Sequence, residues 1–181
     1  MFRIFLVILF LLLFTGFVQA EALKAKKAVA VAAAEEIINM RSSLAKTFIK
    51  PDMDVTEETF KNVCGAVGKR AKEIAEKEGF KIRHAATKNR NPMFSAKPDE
   101  VKILDAFDKD RNLMEKWDTV EMEGKKYQRY MKPIFVEQAC LACHGPKDKR
   151  PKFIVEKYPD DKAFDFKVGD LRGMIEVMVQ E

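Results

Sequence analysis

Cys140-Leu141-Ala142-Cys143-His144 places two thiols and an imidazole within five residues. In one helical turn, residues i and i+3 share a face. Both sulfurs can then reach neighbouring vinyl groups of one porphyrin and add to them as thioethers. C-x-x-C-H is the attachment signature of a c-type haem. His144, directly after the second thiol, offers its imidazole to the iron as the proximal axial ligand. Two other chemistries use the same residue types. A dithiol redox site follows an early strand of a βαβ unit, whereas this motif follows Phe135–Gln138 late in the chain. A structural zinc site needs four well-spaced ligands. The chain has three Cys and two His, and Cys143 and His144 are adjacent, so they fit one tetrahedron poorly.

The second axial position is left open by these residues. Cys64, His84 and the methionines after the leader are candidates, as are the lysines. Cys64 falls on the apolar stripe of a helix, where cysteine is commonly a small buried hydrophobe. An unpaired Cys in an exported chain still wants a purpose. His84 shares one side of a short strand with Phe80 and Ile82, where a lone histidine is commonly a satisfied core residue. Met131 beside Pro133 and Met93 after Pro92 are the methionines nearest in kind.

Residues 1–20 have the form of an export signal. Arg3 is their only charge, Ile4–Phe14 is unbroken apolar, and Val18-Gln19-Ala20 offers a cleavage site. The run is short for a membrane span of about 20 residues. An exported, periplasmic protein starting near Glu21 is expected, anchored only if the signal is retained. Haem attachment to C-x-x-C-H belongs to the same side of the membrane, so the two features agree.

After the signal come an N-terminal helix, residues 21–54, and a haem domain, residues 55–181. Glu21–Lys50 is Ala-rich with no Gly or Pro, and Pro51 ends it. Ala30, Ala34, Ile37, Ile38, Leu44, Ala45 and Phe48 share a face that Arg41 interrupts. At about 45 Å this helix is longer than a small domain needs, so its start protrudes or pairs with a second copy as a homodimer. A second helix runs from a Thr56 cap to Gly79, with Phe60, Val63, Cys64, Val67, Ala71, Ile74 and Ala75 on one stripe. Phe80–His84 alternates as a strand, and Asn89–Pro98 is a loop. Pro98-Asp99-Glu100 opens a helix carrying Val101, Leu104 and Phe107. Trp117–Glu123 and Lys125–Phe135 form a hairpin at Glu123-Gly124. Phe153–Tyr158 is a short helix and Met174–Val179 the last strand. This order predicts an α+β fold, an antiparallel sheet with helices on one side.

Composition excludes other classes. The 181 residues suffice for one domain. Hydrophobic residues at 47% and charged residues at 34% support a packed core rather than disorder. A net charge of +5, with acids interleaved among bases, makes no stripe for nucleic acid. Three Cys do not make a disulfide scaffold.

Several stretches resemble a family of single-haem, PAS-like c-type domains. They are Cys64, Gly79-Phe80-Lys81-Ile82-Arg83, Lys88-Asn89-Arg90-Asn91-Pro92, Tyr130-Met131-Lys132-Pro133-Ile134, Cys140–Gly145, Lys157-Tyr158-Pro159-Asp160 and Gly169-Asp170-Leu171-Arg172-Gly173. Members of that family stand alone or serve as extracytoplasmic sensor parts of histidine kinases and chemoreceptors. The resemblance implies a PAS-like antiparallel sheet flanked by helices and one covalent haem c. It also implies an axial pair of His144 and Cys64, without carrying ligation to His84. Lys88, Arg90 and Lys132 become candidates to meet the haem propionates. A thiolate ligand favours ferric iron, so a low-potential electron carrier or a redox or gas sensor is expected, acting on a separate redox or signalling partner. The competing readings are a haem enzyme of peroxidase or nitrogen-oxide reductase type, which needs an open distal site, and a helical-bundle cytochrome, which the strand-like Phe80–Phe135 stretch argues against.

Overall fold

The computed structural model describes residues 2–51 and 53–181, with side chains from Gln19 onward. The residues read as an export signal lie almost wholly outside the described side chains. Helix α1, Phe2–Phe48, is 47 residues and about 70 Å long, and its backbone begins well before the predicted Glu21. No helix among the described residues is long and apolar enough to cross a membrane.

Thr56 caps α2, Glu57–Phe60, and its side chain accepts the Thr59 N–H. The chain then passes through a π-helical turn, Lys61–Gly65, into α3, Ala66–Glu78. Gly79 ends α3 in the left-handed region, φ 68°. Strand β1, Lys81–Ala85, follows, then α4, Pro98–Lys109. Strands β2, Lys116–Met122, and β3, Lys125–Phe135, form the hairpin. Glu123 and Gly124 both have positive φ, as a tight turn matched to strand twist requires. Short helices α5, Leu141–His144, and α6, Lys152–Lys157, precede β4, Leu171–Gln180. The sheet order is β1-β4-β3-β2, antiparallel throughout.

Alternation along β3 and β4 divides the core. Tyr130, Ile134, Ile175, Val177 and Val179 pack with Ala30, Ala34 and Ile37 of α1 and Val67 and Ile74 of α3. Met131 and Met174 point to the opposite face, against Ile103, Leu104 and Phe107 of α4. The expectation of helices on one side is therefore corrected: α1 and α3 cover one face and α4 the other. Strand β4 is buried at every position from Arg172 to Val179, as a strand covered on both faces must be. The Ala stripe of α1 serves close approach, since small residues let the helix lie near the sheet.

The α4 face also buries charge. Glu176 of β4 is 1% exposed beside Glu100, also 1% exposed. Burial, with the Glu100 charge, pushes Glu176 up to about 7. A glutamate in the unfolded chain titrates near 4.3. Between those values the native state binds more protons, so Glu176 makes stability fall as pH rises from about 4.5 to 7. Glu176→Gln should remove this dependence, and the variant should gain on the order of 3 kcal/mol relative to wild type across that window. Urea titrations of both proteins at several pH values measure it; parallel profiles would refute it.

Candidate functional site

The C-x-x-C-H segment enters as a 3-10 turn, Gln138–Cys140, and continues as α5. Cys140 is half-buried and Cys143 buried. Burial raises both thiols, Cys143 to about 11, so both are protonated at neutral pH. Gly145 closes the turn. A Cβ there would stand 2.6 Å from the Leu141 carbonyl oxygen, so only glycine lets the chain leave this way.

His144 is 9% exposed. Burial, with the charges of Arg172 and Arg90, holds its imidazole well below the usual value, so it is neutral. Its Nδ1 lies 2.7 Å from the Ala163 carbonyl oxygen. A carbonyl only accepts, and this contact is shorter than the 3.3 Å approach of Arg90 Nη2 to the same atom, so the proton is assigned to Nδ1 and the Nε2 lone pair is left for a ligand. The ring is further fixed by Phe166, edge-on at 6.0 Å, and by the Phe166 N–H bonding the His144 carbonyl at 3.1 Å.

His144 and Cys64 line one cavity of about 360 Å³, within the range of small-molecule sites. It lies between α1, the α2–α3 segment, β1 and the loop around Asn91. Cys64 sits on the π-helical turn, a distortion that recurs at functional sites. Of the other candidates for a second axial ligand, His84 also lines the cavity. Its Nε2 is buried without a partner, and burial with Arg172 and Arg41 nearby keeps its ring neutral. No methionine lines the cavity among the described residues. Met131 is buried under α4 on the far face of the sheet, and Met93 is 68% exposed.

The three basic residues expected near propionates separate. Arg90 lines the cavity, donates to the Cys143 carbonyl at 2.7 Å and approaches Asp161 at 3.4 Å. Lys88 turns away: Nζ donates to the Phe164 carbonyl and sits 4.3 Å over the Phe166 ring. Lys132 pairs with Glu35 of α1 at 3.4 Å, outside the cavity lining. Sequence reasoning missed Arg41 and Arg172, which both line the cavity. For Arg41 the signal was its interruption of an apolar stripe. Arg172 lies in the family-like stretch Gly169–Gly173, but nothing local shows where it points, because a β-bulge aims it. Ile134 pairs with Gly173 and Phe135 with Leu171, leaving Arg172 unpaired between them. Gly173 makes the bulge possible: its φ is +152°, and a Cβ would lie 2.5 Å from both the Ala85 carbonyl and His84 Nε2.

A long helix, an antiparallel sheet flanked by helices on both faces, and one cavity against that sheet define a PAS-like α+β domain. The profile of the Tll0287-like family matches residues 19–180. The chain belongs to that family. Its fold is similar to the crystal structure of the cyanobacterial heme-protein Tll0287, with TM-score 0.77 and 42% identity over 87% of this chain and 96% of that one. No curated protein matches the sequence.

Proposed function

We infer that this protein is an exported single-haem c-type redox protein. Cys140 and Cys143 would hold the haem covalently, and His144 and Cys64 would bind its iron. It serves low-potential electron transfer or redox sensing toward a separate partner protein. The observation that carries this reading is the shared cavity, which Cys64 and a neutral His144 line together. The donor set fits a haem: an imidazole with Nδ1 committed to Ala163, a thiol on another element, and two further thiols on the turn that delivers His144. The description of the similar cyanobacterial structure as a heme-protein supports the same cofactor.

When bound, haem supplies a one-electron couple at its iron. The chain's own residues set how that couple is held. The Nδ1–Ala163 bond fixes the tautomer and orientation of His144. A Cys64 thiolate would donate electron density and favour the ferric state. Apolar Val67, Ala71 and Ile175 form part of the cavity wall beside these donors.

The test is low-temperature EPR of the ferric protein, made in a host with c-haem maturation machinery. A low-spin signal of thiolate type, lost in Cys64→Ala, is expected. A low-spin signal that survives Cys64→Ala would assign the second ligand elsewhere, with His84 the residue to replace next. A high-spin wild-type signal would mean an open iron and refute the ligand pair.

A further inference from the structure

The charge balance of the cavity is one-sided. Five cations line it, namely Arg41, Lys72, Arg83, Arg90 and Arg172, and no carboxylate does among the described residues. Arg83 is answered by Glu100 at 2.5 Å and Lys72 by Glu76 at 3.7 Å. Arg90 reaches Asp161, but that carboxylate also takes Arg150 at 3.0 Å. The Nε atoms of Arg41 and Arg172 are buried without a hydrogen-bond partner, and that of Arg90 has only Asp161, at 3.4 Å. Arg90 and Arg172 are each 8% exposed. Burial, with the Arg41 and Arg90 charges, draws Arg172 down to about 9.

Burying guanidiniums together is unfavourable unless anions meet them. Three separate elements nevertheless bring them here: α1 with an arginine on its apolar stripe, the loop before Asn91, and a β-bulge that demands a glycine. A partner carrying two negative charges would offset the repulsion among Arg41, Arg90 and Arg172. Guanidinium is the side chain whose planar donors match a carboxylate two-to-two.

We propose that Arg41, Arg90 and Arg172 form a clamp for the two propionate carboxylates of haem bound in this cavity. The proposal rests on the haem reading above and adds which residues meet the anionic edge. Lys88 and Lys132 have no part in it. The clamp does two things. It positions the ring against His144, because Arg90 also bonds the Cys143 carbonyl. It also offsets the electron added on reduction, so the cations favour the reduced state.

The test uses the holoprotein with covalent haem, in which loss of the clamp cannot release the ring. Reduction potentials of Arg41→Gln, Arg172→Gln and Arg41→Lys are measured by spectroelectrochemical titration. Redox-difference infrared spectra read the propionate carboxylates. Both Gln variants should lower the potential and shift the carboxylate bands, and Arg41→Lys should return both readouts toward wild type. Arg41 lies on the partly exposed α1, so it carries the test if the buried Arg172→Gln fails to fold. Unchanged potentials and bands in folded, haem-bearing Gln variants would overturn the clamp. So would a shift in Lys132→Gln with none in the arginine variants. Absence of haem from the wild-type protein would overturn the cofactor reading instead, and staining for haem separates the two failures.

Discussion

Replacing Cys140 and Cys143 together with alanine is expected to abolish covalent haem. The denatured chain should lose all haem stain on a gel, while wild type keeps it. Thioether formation adds each S–H across a vinyl double bond, so it needs two thiols at the spacing of one helical turn and an imidazole that holds the iron meanwhile. All three are delivered by residues 138–144, where a 3-10 turn runs directly into α5. Both thiols are kept protonated by burial, which is the form that adds. Each single variant should retain one thioether and show a displaced absorption band in the alkaline pyridine spectrum. His144→Ala should act differently: haem stays attached through sulfur, but the low-spin state is lost. Removing the Nδ1 partner alone, by displacing Ala163, should cost less, since orienting contacts of metal-bound histidines are worth about 10- to 100-fold in affinity. Full haem stain in the double variant would refute the attachment site.

Much of this frame was legible because local signals and global packing agreed. The Thr56 cap, the Gly79 stop and the Glu123-Gly124 turn all reflect backbone chemistry acting over a few residues. The C-x-x-C-H motif is equally local. The departures are long-range. The π-helical turn at Lys61–Gly65 interrupts what periodicity predicts as one helix, and one extra residue per turn leaves no mark in an apolar stripe. Placing α4 on the opposite face depends on sheet order, since β4 pairs on both sides and must be covered on both faces. The inward aim of Arg172 comes from register across β3 and β4, and the outward turn of Lys88 from a carbonyl 76 residues away. A basic residue beside a motif says that charge is near. It does not say which way the side chain turns.

The face of the sheet away from the cavity carries the second large effect. Arg129 is 5% exposed and joins four elements. Its guanidinium meets both oxygens of Asp118, at 2.8 and 2.6 Å, Asp99 of α4 at 2.7 Å, and Glu176 of β4 at 3.3 Å. Replacing Arg129 by methionine fills similar space but strands these carboxylates. The exposed Asp99 and the half-buried Asp118 can turn to water. Glu176 cannot, because it is 1% exposed and already faces Glu100. Breaking a buried pair from one side typically costs about 3–5 kcal/mol, and Arg129→Met should fall in that range by urea denaturation at pH 8. Loss of the nearest cation pushes Glu176 further up, so the native state takes a proton more readily and the cost should shrink at pH 5. Adding Glu176→Gln should recover part of the loss at pH 8 and little at pH 5, because the proton has then already removed the charge. A cost under about 1 kcal/mol at both pH values would mean that exposed carboxylates relax and water reaches Glu176. The reduction potential offers a second reading. The sheet separates Arg129 from the cavity, so Arg129→Met should weaken the fold without the potential shift expected of Arg41→Gln. Stability and redox tuning would then reside on opposite faces of one sheet.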